Sequence, residues 1–583
     1  MEPGLTSGKN GGTSHAVVPG LRAIATYRLG WLPSDVVAGL VLTTLLVPQG
    51  MAYAELAGLP AITGLYTSIL CLIGYAIFGP SRILVLGPDS SLGPMIAAVI
   101  VPIVGANGDP AKAVAYASML ALMVGAITAL GAIARLGFVA DLLSKPTMIG
   151  YMNGLAITIL IGQLPKLFGF STDASGAIAE ARAFVHGVAA GDTVAAALVI
   201  GVGGLLVMGL LQRVWPKVPA VLVAVVLSIA AVNLFQLQDH GVSVVGGLPQ
   251  GFPPLTVPSV KVSDLYLLVG GAFGIALVSL ADTIATASAF AARSGDEIDG
   301  NQEMLAIGAA NIASGFFQGF PVSTSGSRTA VAEQAGGKTQ VTGLVGALTI
   351  AVMLLFFPGL LRDLPQPMLA AVVISASLSL ADIPGVIRLW HQRRTEFILS
   401  ITAFLGVALL GVLPGIVVAV GLSVANVFRR SWWPYQAILG RVEGMPGYHD
   451  VRNHPDAEIL PGLVVFRFDA PLFFANARTF RDQIVRLAAA DPPPAWILIA
   501  AEPITDVDTT AADMLEDLDE MLNARGISLV FAEMKDPVRL KVDRYELTRT
   551  IDPAHFFPTL HAAVTAYSDE SGATWTHREE TPI

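Results

Sequence analysis

The sequence predicts an α-helical polytopic membrane protein of fourteen spans, in two seven-span halves, followed by a C-terminal α/β domain. Three observations predict it. Of 583 residues, 54% are hydrophobic and only 13% are charged, about half the ~25% of an ordinary soluble chain. Apolar, charge-poor runs recur from Val36 to Phe428, most of a length suited to crossing a bilayer. The charge is displaced to one end: after Arg430 there are 24 acidic and 13 basic groups, a net −11, which leaves the first 430 residues near +1. That acidic tail is of the size of one soluble domain.

This composition excludes a disordered, collagen-like or simple water-soluble chain. The single cysteine, Cys71, excludes a disulfide framework and a cysteine-based metal cluster. A net charge of −10 argues against nucleic acid as a partner. All nine histidines fall outside the predicted spans, which leaves no heme ligation and no intramembrane histidine relay. The expected metal and cofactor content is none.

Taken in order, residues 1–30 form a cytoplasmic N-terminus, Gly/Ser/Thr-rich and disordered to about Gly20. They lack the apolar core and cleavage site of a signal peptide. The transport region, 31–430, divides into repeats at about 31–240 and 260–430. Its spans are placed at 34–54, 62–79, 88–103, 113–134, 142–162, 193–211, 217–235, 265–290, 303–319, 325–336, 341–358, 366–384, 397–412 and 414–428. The third, opening at Gly87-Pro88, and the tenth, between Pro321 and Gly336-Gly337, are too short or broken to cross as intact helices. They hold matching places in the two halves, and such pairs are the best sequence pointer to a transporter's binding site.

Fourteen crossings put both chain ends on one side. Arg22, Arg28, Arg82, Arg135, Lys145, Arg213, Lys217, Arg393, Arg394 and Arg430 then lie inside, against Lys112, Lys166, Arg182, Lys261 and Arg362 outside. This positive-inside bias places the tail in the cytoplasm. Within it, 462–468, Trp496–Ala500 and Ile527–Phe531 read as strands. Pro471 to Asn476 reads as a turn or second strand, and 477–490 and about 510–524 as helices. The domain is expected over 445–570, starting near Gly447–Pro461, with 571–583 as a tail.

Ionisable groups inside spans are functional candidates by default. Glu55 and Arg82 lie at span ends and can snorkel. Asp89 opens the third span, Asp282 interrupts the eighth, and Arg328 lies in the tenth, after Ser323, Thr324, Ser325 and Ser327. A half-helix start offers free N–H groups and a positive dipole end, to which the serine hydroxyls and a guanidinium add. Together they suit an anion at mid-membrane depth. The alternative is an arginine pairing with Asp282 or a lipid headgroup. Gln49 and Tyr53, one turn apart on the first span, could donate to the same anion or bond neighbouring helices. Asp282, a lone carboxylate in an apolar span, suits a coupling proton. Gly336-Gly337-Lys338-Thr339 resembles the end of a phosphate loop, but the motif's first glycine would fall at Ala332. With no nucleotide-hydrolysing motif, transport is expected to be secondary.

The residues now quoted resemble the sulfate permease (SulP) family, bacterial relatives of the anion exchangers that include prestin and pendrin. The resemblance runs over about 30–570. It rests on Val47-Pro48-Gln49-Gly50-Met51-Ala52-Tyr53-Ala54-Glu55, on Gly58 to Tyr66, on Gly79-Pro80-Ser81-Arg82 leading to Gly87-Pro88, on Asn301-Gln302-Glu303, and on Ser325-Gly326-Ser327-Arg328 followed by Gly336 to Gln340. It implies a 7+7 inverted repeat of the uracil-permease type with core and gate subdomains, a cytoplasmic STAS domain and a homodimer. The family holds its anion between the facing ends of helices 3 and 10, with help from helices 1 and 8. This points to Gln49, Tyr53, Ser90, Ser325, Ser327 and Arg328 for substrate, with Asp282 at the place linked to the coupling ion. Asp89, assigned with Asp282 to ion coupling, departs from the small or apolar residue of many relatives: it is expected to be protonated in transport, to pair with Arg328 or to point away. In signalling relatives of the tail domain a hydroxyl after an aspartate at a helix start is phosphorylated, which makes Thr509 a candidate, although the same residues serve as an ordinary N-cap.

The implied function is sulfate uptake by proton symport at the bacterial plasma membrane, with a small inorganic anion, a coupling proton or sodium, and membrane lipid as partners. Bicarbonate and C4-dicarboxylates are rival substrates. A nucleobase permease of the same fold and a non-transporting motor or sensor are rival classes.

Overall fold

The computed structural model describes residues 18–20, 26–105, 108–138, 143–172, 174, 176–215, 218–294 and 298–577. The expected disordered N-terminal stretch falls almost wholly outside them, as does the end of the expected 571–583 tail. The chain forms two compact units, Met1–Ser423 and Val424–Ile583.

Fourteen helical segments among the described residues fall at the places of the fourteen predicted spans, all in the first unit except that the last runs on past Ser423. They are α1 (Leu32–Leu56), α2 (Ala61–Phe78), α3 (Gly93–Val104), α4 (Pro110–Ile133), α5 (Lys145–Leu167), α7 (Ala195–Val214), α8 (Ala220–Leu234), α9 (Leu265–Ser294), α10 (Gly300–Phe316), α11 (Gly326–Gln334), α12 (Val341–Phe356), α13 (Gln366–Leu380), α15 (Arg394–Leu410) and α16 (Val412–Trp432). Two further helices, α6 (Ala177–Ala190) and α14 (Ile383–Gln392), lie between spans. Among the described residues, eight helices are long and apolar enough to cross a membrane. Proline in the first turn and aspartate N-caps mark several starts: Asp109 accepts from the Ala111 amide and Asp299 from those of Asn301 and Gln302.

The packing repeats with a shift of seven spans. α1 packs on α12 as α9 packs on α4, and α2 packs on α12 as α10 packs on α4. α2 and α10, which exchange under this shift, pack on each other. A second bundle gathers α5, α7, α13 and α15, in which α5 packs on α15 as α13 packs on α7. Small residues permit these approaches: a Cβ on Gly64 of α2 would stand 1.9 Å from the Gly50 carbonyl of α1.

The third and tenth spans are broken. Before α3, β1 (Leu86–Gly87) runs extended; before α11, β2 (Ser323–Thr324) does the same. The two pair antiparallel, Leu86 with Thr324 and Gly87 with Ser323. Backbone freed from helix inside a membrane must find partners in the protein, and each broken span supplies the other's.

The phosphate-loop-like Gly336-Gly337-Lys338-Thr339 has an internal carboxylate partner. Asp35, fully buried on the first turn of α1, accepts from the Lys338 amide at 2.6 Å, the Thr339 amide at 3.1 Å and the Thr339 and Thr342 hydroxyls at 2.7 and 3.1 Å.

The second unit is an eight-stranded sheet in the order β10-β5-β3-β6-β7-β8-β9, with β4 also paired to β3. Its strands are β3 (Gln436–Val442), β4 (Met445–Asp450), β5 (Glu458–Ile459), β6 (Leu463–Phe468), β7 (Trp496–Ala500), β8 (Ser528–Ala532), β9 (Phe556–Phe557) and β10 (Thr576–His577). β6 to β9 run parallel and β3 lies antiparallel to β6. Alternation sorts the side chains onto two faces. Phe466, Ile497, Ile499, Leu529 and Phe531 pack under α17 (Ala477–Ala488), α18 (Thr509–Asn523) and α19 (Asp536–Arg544), whereas Val465, Leu498 and Val530 meet α20 (Leu560–Ser571). The sheet therefore begins ahead of the expected start at 445: β3 sits inside it. Gln436–Val442 is a mostly apolar strand directly after the last span, so neither charge nor hydropathy marks its boundary. Pro471 to Asn476 is a turn, not a second strand, with Leu472 bridging Val507. Thr509 is exposed in the first turn of α18, and Asp508 is the N-cap, accepting from the Ala511 amide at 2.8 Å.

Candidate functional site

The site is built where β1 and β2 pair and two half-helices begin. Arg328, in the first turn of α11, is fully buried. Its Nη1 donates to the Pro88 carbonyl at 2.6 Å. Gly87 permits this reach, since a Cβ there would stand 2.7 Å from Nη1. Arg328 Nε and Nη2, with the neighbouring Ser323 hydroxyl, are buried without a hydrogen-bond partner among the described residues. Each such orphan costs about 1–3 kcal/mol, so the arrangement is suited to an acceptor brought from outside.

Asp89 adopts one of its expected alternatives: Oδ1 lies 3.7 Å from Arg328 Nη2, an ion pair beyond hydrogen-bond length. Its other oxygen accepts from the Ser91 amide at 2.9 Å. Ser91 Oγ lies 2.7 Å from Asp89 Oδ2 and 3.2 Å from Asp282 Oδ2. Asp282 thus reaches the site through a serine, and its direct pairing with Arg328 is replaced by the pair with Asp89.

The remaining predicted residues fall into place around this core. Ser90 is buried, as is Tyr53 on α1. Gln49 is half-buried one turn before Tyr53. Ser325 is the N-cap of α11, its hydroxyl accepting from the Arg328 amide at 3.5 Å and lying 3.0 Å from the exposed Ser327 hydroxyl. Its first role is therefore to hold the half-helix start. Thr509, in the second unit, belongs to a separate region.

Sequence reasoning missed the hydroxyls that brace this core. Ser91 joins the two aspartates. The Val85 amide donates to Thr329 Oγ1 at 3.1 Å, Thr324 Oγ1 donates to Thr283 Oγ1 at 3.3 Å, and Ser279 Oγ donates to the Val322 carbonyl at 2.8 Å. The available signal was adjacency: Ser91 follows Ser90, Thr283 follows Asp282, and Thr329 follows Arg328. Two buried carboxylates were also passed over: Asp35, and Glu303, which accepts from Tyr75 at 2.8 Å and from Ser81.

The sequence matches the sulfate permease family over residues 32–403 and the STAS domain over residues 454–563. The chain belongs to the sulfate permease family. It is an anion transporter and not an enzyme, with a helical membrane region and a C-terminal STAS domain. A probable sulfate transporter of Mycobacterium tuberculosis is 40% identical over 556 residues, 95% of this chain and 99% of that protein. Sulfate transporter 3.1 of Arabidopsis thaliana is 30% identical, over 89% of this chain and 82% of its own. The fold is shared with the murine Solute Carrier 26 member A9 anion transporter, solved in the inward-facing state, at a TM-score of 0.88, 23% identity and coverage of 97% and 96%. The transmembrane domain of a cyanobacterial bicarbonate transporter aligns at a TM-score of 0.60 and 23% identity, over 68% of this permease and 99% of that chain.

Proposed function

We propose that this permease takes up sulfate in symport with protons. The observation that carries the reading is Arg328: a guanidinium fully buried beside a half-helix start, with two of its nitrogens lacking acceptors among the described residues. A divalent oxyanion taken from water needs converging donors and a fixed cation. Arg328 supplies the cation, the first amides of α11 supply the dipole end, and Gln49, Tyr53, Ser90 and Ser327 supply further donors. The sulfate transporters among its relatives favour a tetrahedral anion over bicarbonate or a dicarboxylate.

Proton coupling is assigned to the carboxylates. Ser91 has one hydroxyl hydrogen and can donate to one acid at a time. Its close contacts with both Asp89 and Asp282 are satisfied together when one acid is protonated and donates to the Ser91 oxygen. Asp282, which has no arginine of its own, is the acid assigned that proton; Asp89 stays charged beside Arg328. The N-terminus and STAS domain face the cytoplasm of the plasma membrane, by the distribution of lysine and arginine, and the assembly is a homodimer. Uptake of sulfate, bicarbonate, succinate and uracil into proteoliposomes, with and without an inward proton gradient, tests the reading. Sulfate accumulation driven by the gradient is expected; uptake of another anion alone, or indifference to protons, would overturn the corresponding half.

A further inference from the structure

Two helices, α6 and α14, follow the fifth and twelfth predicted spans and so stand seven spans apart; α14 is set off from α13 by a break at Ala381-Asp382. In an inverted repeat such counterparts lie at opposite membrane faces. Both expose apolar side chains: Ile178, Val185 and Val188 on α6, and Ile383, Ile387 and Trp390 on α14. Steps of four and three place the latter trio on one stripe. Gly385 and Leu389 are buried on another side, and α14 packs on α15 and α5. A short helix so divided suits the plane of a bilayer interface.

Charge separates the counterparts. On α6, Glu180 and Arg182 cancel. On α14 and the start of α15 stand Arg388, Arg393 and Arg394, all exposed. Glu396 pairs with Arg393 at 3.3 Å. Arg388 and Arg394 form no ion pair among the described residues, and the Arg394 guanidinium stacks 3.5 Å over the Trp390 ring, which holds the cation beside the apolar stripe. The fold does not require these cations, since the counterpart helix is formed without a net charge.

We propose that α14 and the first turn of α15 form a docking surface for anionic phospholipid headgroups of the cytoplasmic leaflet. Arg388 and Arg394 take the phosphate, and Ile383, Ile387 and Trp390 enter the acyl boundary, where tryptophan is favoured. An acidic protein would match the arginines but not the adjoining apolar stripe. The leaflet assignment rests on the cytoplasmic placement proposed above.

The test is native mass spectrometry of the purified full chain with phosphatidylglycerol and phosphatidylcholine of matched acyl chains. The wild type should retain phosphatidylglycerol preferentially. Each arginine near an anionic surface contributes about fivefold, from ~1 kcal/mol, so Arg388→Gln with Arg394→Gln should cut the preference roughly 25-fold, while Arg182→Gln on α6 leaves it unchanged. A preference that survives the double substitution overturns the proposal. Equal retention of both lipids by the wild type also overturns it. Placement is read separately. Cys71 is buried, so Gln392→Cys can be labelled selectively by a membrane-impermeant maleimide. Labelling only after permeabilisation of right-side-out vesicles supports the inner leaflet. Labelling of sealed vesicles overturns the placement and leaves the headgroup preference to the first measurement.

Discussion

Replacing Arg328 with alanine removes the fixed cation of the proposed sulfate site. Its Nε and Nη2 have no protein acceptor among the described residues, so two charge-assisted hydrogen bonds to the anion are at stake. At about 1.5–3 kcal/mol each, the lower end gives a loss near 3 kcal/mol, about 100-fold in Kd at ~1.4 kcal/mol per tenfold. The same change deletes the bond from Nη1 to the Pro88 carbonyl, so a thermal melt must accompany the measurement to separate lost affinity from lost fold. Arg328→Lys should recover only part, because an ammonium lacks the planar fork. Ser327→Ala should cost less than either, since that hydroxyl is exposed and its contact is with Ser325. The assay is equilibrium binding of labelled sulfate to purified protein, alongside uptake. Wild-type affinity in a folded Arg328→Ala protein would refute the reasoning, and would place the anion elsewhere or on the backbone dipoles alone.

Four further outcomes follow from the same geometry. Asp282→Asn should leave sulfate exchange intact while abolishing accumulation driven by a pH gradient; unchanged proton-driven uptake in that variant would remove Asp282 from coupling. Gly87→Ala puts a Cβ 2.7 Å from the Arg328 guanidinium, which must shift and give up its bond to the Pro88 carbonyl, so sulfate binding should fall at least tenfold in a protein that still inserts; unaltered affinity would show that the guanidinium can move without loss. A soluble fragment of residues 434–577 should melt cooperatively, whereas 445–570 should melt lower or aggregate, because β3 sits between β5 and β6 and its loss bares a central edge; equal melting temperatures would contradict this. Burial of Asp519 pushes its carboxyl up from its ordinary range, so its contribution to folding is greatest below the unfolded value of about 3.9 and declines as pH rises toward the folded one. Asp519→Asn should therefore stabilise the 434–577 fragment more at pH 7 than at pH 3.5, and a gain independent of pH would discount the burial argument.

The sequence by itself determined what rests on local composition. Apolar runs marked most of the predicted spans, because a bilayer rewards each run independently of its neighbours, and helical segments stand at those places among the described residues. Gly87-Pro88 and the Pro321–Gly337 stretch betrayed the two broken spans, because chain that cannot be helical is recognisable without knowing its partner. Alternation and an acidic helix marked most of the tail domain, but Gln436–Val442 was missed, since a short apolar strand abutting a span carries no contrast. The tertiary structure alone decided pairings between residues far apart in the chain. That Asp35 holds the amides of Lys338 and Thr339, that Asp89 and not Asp282 pairs with Arg328, and that Ser91 joins the two acids are facts of position. Each polar group had several chemically equivalent partners in the sequence. Only the fold, by bringing β1 against β2, brings one of them within reach.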